Sequence, residues 1–128
     1  MDEDMFGIHF EKLKKFMIQG ALLFLAFIFI SGLYTFYEIT LKENTLEFSP
    51  SPSSIHNIEV VQKGEATLFG PSSVRIRGNG SHIDRTIAND GKTLNSSNVD
   101  IIWEDDYNAV VTLYGEEQVP ETVSINFE

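Results

Sequence analysis

Three histidines are scattered through this chain, and the combination that first suggests a reactive site is His56, His82 and Asp84. Imidazole and carboxylate together serve as zinc ligands or as the base and orienting acid of a nucleophilic triad. The spacing matches no ligand motif, and isolated histidines in a strand-rich segment are ordinarily surface or hydrogen-bonded residues. The stretch ANDGKTLN resembles a calcium loop around Asp90 and Gly91. With that glycine as the sixth loop position, Thr86, Ala88 and Ser97 fall at the first, third and twelfth, where oxygen-rich acids are needed. It is therefore expected to be a hairpin turn. The run Glu104-Asp105-Asp106 reads as solvated turn acids rather than a cation site.

Arg75, Arg77 and Arg85 are the chain's arginines, and they form the candidate partner-binding group. Pairing of residues 72–77 with 82–87 across a GNGS turn is expected to align all three on one outward face. Paired guanidinium groups there could grip a carboxylate or phosphate. The competing account is cross-strand salt bridging with the chain's own acids.

Patterns of established enzymes are missing: there is no Ser-x-x-Lys, G-x-S-x-G, Walker or HExxH sequence. Cysteine is absent, which removes disulfides, thiol catalysis, thiolate metal sites and the lipid-bearing cysteine of a lipoprotein. No catalytic residue, cofactor or metal ligand is expected.

The elements that must position these residues begin with an uncharged stretch at 16–37, FMIQGALLFLAFIFISGLYTFY. As a helix it would reach roughly 33 Å, enough to cross a hydrocarbon core of about 30 Å. A cleaved signal peptide shares this order of basic then apolar residues, but its apolar part is shorter, and Ile30-Ser31-Gly32 is a poor cleavage site. A retained transmembrane anchor is expected. A pilin-like leader is rejected because Gly7 is followed by IHFEKLKK, which puts Glu11 outside the apolar run. Lys12, Lys14 and Lys15 precede the span, and only Lys42 follows within fifteen residues. The positive-inside rule then predicts a plasma-membrane, single-pass protein with a cytoplasmic N-terminus and its C-terminal domain outside.

The formal charge of -10 divides into -1 for the tail at 1–15, zero for the span and -9 for residues 38–128. An acidic outer segment argues against nucleic acid and anionic headgroups as partners, since both are bound through clustered lysine and arginine. Residues 38–54 contain SPSPSS and read as a juxtamembrane segment and semi-rigid Ser/Pro linker. The tail at 1–15 is expected to lack stable structure.

From residue 55 to 128 the hydrophobic period is two, as in Val74 and Ile76, in Val99, Ile101 and Trp103, and in Val123, Ile125 and Phe127. Further strands are expected at 58–62, 66–69, 83–88 and 109–114. Asp90-Gly91 is the strongest hairpin signal. The fold class is mainly β: one N-terminal transmembrane helix, then a small antiparallel sandwich or curled sheet of six to eight short strands. Trp103 is expected at the centre of its core, and residues 53–128 are expected to fold without the helix.

The segments SPSPSSIHNIEVVQKGEATLFGPSSVRIRG, IDRTIANDGKTLNSSNVDIIWE and AVVTLYGEEQVPE resemble an uncharacterised family of small single-pass membrane proteins from spore-forming Gram-positive bacteria. The likeness covers residues 49–126. It implies a bacterial plasma membrane and an outward β domain, and it carries no active-site residue. The expected role is a membrane-anchored extracytoplasmic interaction module or accessory subunit, with the bilayer and a membrane or envelope protein as partners. An immunity-type protein that shields its own membrane is the alternative, and an enzyme is the least supported.

Overall fold

The computed structural model describes residues 2–128 and divides them into two compact units, one ending at Phe36 and the other running from Tyr37 to Glu128. The first unit is a single helix, α1 (Asp2–Phe36). By length and composition, the helical stretch Asp4–Leu41, which is most of α1 with the short π-helix that follows it, is apolar enough and long enough to cross a membrane. The tail expected to lack structure instead continues this helix. Its phenylalanines, isoleucine, leucine, glutamate and lysines are compatible with helix, and it contains no proline.

The second unit opens with a short π-helix (Tyr37–Leu41) and then forms seven strands. Four make one antiparallel sheet in chain order: β1 (Glu43–Pro50), β2 (Asn57–Lys63), β3 (Ser72–Gly78) and β4 (Ser81–Ile87). Three make the other: β5 (Val99–Trp103), β6 (Asn108–Leu113) and β7 (Glu121–Asn126). The fold after the helix is thus mainly β, as the alternation indicates.

The first correction concerns residues 43–50, which the proline content marks as part of a linker. They form β1, an edge strand paired with β2 from Glu43 opposite Lys63 to Pro50 opposite Asn57. Proline is tolerated because an edge strand has one unpaired side, so Pro50 removes no donor that a neighbouring strand needs. SPSS is then the hairpin loop between β1 and β2. The Ser51 hydroxyl, buried in that loop, accepts hydrogen bonds from the amides of Ile55 and His56 at 3.1 and 3.2 Å. A bulge between Thr45 and Glu47 breaks the β1 register at Leu46, whose side chain is buried in the core.

The second correction concerns turns. Asp90 and Gly91 both have positive φ, 54° and 71°, and the Lys92 amide closes the turn on Asn89 O at 3.0 Å, so the local geometry is as expected. Yet the turn joins no hairpin: it lies in the crossover from β4 to β5. The tight hairpin belongs to Asn79-Gly80, with φ of 54° and 69° and Gly78 paired to Ser81. The expected strand at 66–69 is a loop, with Leu68 at φ 54° and the Gly70 amide bonded to Thr67 O.

The core lies between the two sheets. Ile58, Val60, Val74, Ile76 and Ile87 from the first meet Val99, Ala109, Val111, Leu113 and Val123 from the second. Trp103 is not central: it is half-buried at the core margin, stacked against Phe127 with ring centroids 5.6 Å apart. An indole needs a partner for its N–H, and here Nε1 donates to Ser49 Oγ at 2.9 Å, joining β5 to β1. His56 stacks on the same Phe127 at 4.5 Å.

Candidate functional site

The two-residue loop at Asn79-Gly80 dictates where the arginines stand. Gly78 faces Ser81, so Arg77 faces His82, Arg75 faces Asp84, and Val74 faces Arg85. Directly opposed residues share a face of the sheet, and adjacent residues alternate. Arg75 and Arg77 therefore occupy the outer face as expected. Arg85 does not join them: it stands on the inner face with Val74, which corrects the expectation of three aligned guanidiniums.

Each arginine meets a carboxylate. Arg75 binds Asp84 through two parallel hydrogen bonds, Nε to Oδ1 at 2.8 Å and Nη2 to Oδ2 at 3.1 Å. Arg77 bridges Glu43 on β1 and Glu59 on β2, so the outer face carries a chain of ion pairs across β1, β2 and β3. These bonds hold the Asp84 and Glu43 carboxyls below their ordinary range and raise both arginines. Val61, on the same face opposite Arg75, is buried outside the main core cluster.

Arg85 reaches across to the other sheet. Leu113 faces Glu121 in the β6–β7 pairing, and Leu113 is a core residue, so Glu121 also points between the sheets. Arg85 Nε and Glu121 Oε1 meet at 3.0 Å. Each sits on an outermost strand, β4 or β7, and both are partly exposed. A cleft of about 510 Å³ opens beside this pair at the β4 edge, its walls mixing inward Val74, Arg85 and Glu121 with outward Lys63, Ser73, Asp84 and Thr86. A separate hollow of about 240 Å³ lies between β4 and β7, with Ile83 and Ile125 among its walls. The sandwich is thus open along one side, where two unpaired strand edges face each other across a groove clasped by one ion pair.

The remaining candidates have structural employment. His82 Nε2 lies 3.9 Å from Asp84 Oδ2, while His56 is occupied with Phe127 and Tyr107, so the three-residue constellation does not assemble. Among the described residues no cluster of three or more histidines and acids could hold a metal ion. Asp105 Oδ1 accepts from the amides of Tyr107 and Asn108, and Asp106 Oδ1 from the Ser53 amide at 2.7 Å. These backbone donors hold both carboxyls below the usual aspartate range.

Sequence reasoning missed Glu121: the alternation of Val123, Ile125 and Phe127 extends back to it on the inward face, but the partner that gives it a role, Arg85, stands on the other sheet. It also missed Glu43 and Ser49, both hidden within the expected linker. Comparison of the chain with protein-family models, curated proteins and solved structures finds no match to any of them.

Proposed function

We propose that this chain is a membrane-anchored, extracytoplasmic protein-interaction module of the bacterial plasma membrane, with its N-terminus in the cytoplasm. The observation that carries the reading is the open groove between β4 and β7. An outermost strand presents unpaired N–H and C=O groups, to which an extended segment of a partner protein can add as a further strand. Lys12, Lys14 and Lys15 before the apolar stretch support the orientation, and the resemblance of residues 49–126 to single-pass bacterial proteins agrees with it. Arg75 and Arg77, each engaged with carboxylates, border this edge rather than supply free cations.

Two measurements test the reading. Protease added to intact protoplasts should digest the β domain and spare the tail; digestion of the tail alone reverses the orientation. A photo-crosslinking residue at the exposed Thr86 should capture a protein partner in native membranes, and the same residue at Asp100, outside the groove on the other sheet, should not. Equal capture at both positions would remove β4 as the docking edge.

A further inference from the structure

Three loops gather at one end of the β domain. The loop at 64–71 lies on the turn at 89–92, so closely that a Cβ on Gly91 would stand 1.9 Å from Leu68 O. The loop at 114–120 is tied to the same segment: Glu117 N donates to Ala88 O, Glu116 N to Asn89 Oδ1, and Ala88 N to Gln118 Oε1. The backbone of this surface is therefore held by packing and hydrogen bonds. Its apolar side chains are nonetheless outside the core: Leu68 is 89% exposed, Phe69 80% and Val119 85%. Leu68 even adopts a left-handed φ of 54°, which a branched side chain seldom does.

The chain itself says what lies near this end. The domain starts at Tyr37, directly after α1, and its first residues are fastened here, with Glu65 N donating to Ile39 O at 3.0 Å and Gly64 N to Lys42 O. Ile39 is three residues beyond Phe36, a covalent reach of about 10 Å. If α1 spans a bilayer, the loop carrying Leu68 and Phe69 is the part of the domain bound to stay near the lipid surface. We propose that Leu68, Phe69 and Val119 enter the boundary between headgroups and acyl chains, so that this end of the domain rests on the membrane. The inference depends on the anchor reading above and adds to it a second, peripheral attachment.

Charge does not drive this contact. Glu65, Glu116 and Glu117 surround the apolar residues, and Lys92 is engaged with Glu116 at 2.8 Å. Apolar insertion must carry it, aided by the tether: a segment linked to the surface by a few residues experiences an effective concentration of about millimolar or more. Weak insertion therefore suffices.

The absence of native cysteine allows a clean test. The full chain is reconstituted in phosphatidylcholine vesicles as Phe69→Cys, Val119→Cys or, at the far end of the domain, Ser81→Cys, each labelled with an environment-sensitive fluorophore. The expected result is blue-shifted emission at 69 and 119, largely lost when the vesicles contain nitroxide-labelled lipid, with water-like emission at 81. Vesicles that float with the protein but leave 69 and 119 water-like overturn this inference and leave the anchor standing. A chain that fails to float with the vesicles overturns both. A blue shift that nitroxide lipid does not quench also overturns it, and assigns the patch to a second copy of this chain.

Discussion

Arg85 and Glu121 show how one side chain's place follows from counting. A two-residue loop at Asn79-Gly80 makes every β3 residue oppose a β4 residue of the other parity in number, so Arg85 must share a face with Val74 and not with Arg75. That much was legible in the turn chemistry; the identity of its partner was not, because it comes from the other sheet. Inward charges on edge strands oppose indiscriminate strand addition, since a neighbour that offers no counter-charge would bury them unpaired; a segment that docks on β4 must therefore carry groups that satisfy Arg85 and Glu121. Replacing both Arg85 and Glu121 with valine is expected to leave the monomer within about 1 kcal/mol of its stability, because exposed ion pairs contribute little. The variant should nonetheless self-associate. Light scattering against concentration checks this, and a double variant as monomeric as the parent would deny the pair its guarding role. A second expectation at this scale concerns pH. The folded-state pKa values of Asp84, Asp105 and Asp106 are depressed, so their stabilisation is complete above the unfolded aspartate value and is lost as pH falls through the folded one. The melting temperature should be flat near neutrality and should drop below about pH 4. Asp105→Asn with Asp106→Asn should make that acid decline shallower.

At the scale of elements, six of the seven strands are legible in the amino-acid order, three of them by clear two-residue alternation, and β1 is not. ENTLEFSP has few apolar residues, two of its neighbours are prolines or serines, and a bulge at Leu46 interrupts its period. A hairpin loop and a linker share the same composition, so Ser and Pro alone cannot distinguish a strand folding back from a chain leading away. What decides is burial, which local sequence does not report: Leu46 and Ser51 are inside. Leu46→Ala should cost roughly 2–4 kcal/mol. A fragment of residues 53–128, the natural choice if 38–54 were a spacer, should lose cooperative melting, whereas residues 37–128 should retain it. Thermal denaturation followed by circular dichroism separates the two, and equal melts would return 43–50 to the status of a spacer. The same limit explains the turn at Asp90-Gly91. Positive φ at both residues is a local property and was readable; whether the flanking strands then pair is decided by which sheet each joins.

For the molecule as a whole, the division between an apolar N-terminal helix and an acidic, strand-rich remainder is visible in composition alone. The arrangement within the remainder is not, because it rests on which sheet edges stay open. The connections carry a further consequence. Each sheet is a simple meander of consecutive strands, and the first is finished at Ile87 before any strand of the second begins. Ile58, Val60, Val74 and Ile76 then wait for Val111, Leu113 and Val123 to cover them. At about 5–20 residues per second, the roughly 40 residues still to be made take a few seconds. A chain that emerges N-terminus first thus passes through a half-built stage with an uncovered oily surface, and the rate at which β5, β6 and β7 follow sets how long that surface needs shelter on the side of the membrane where the domain folds.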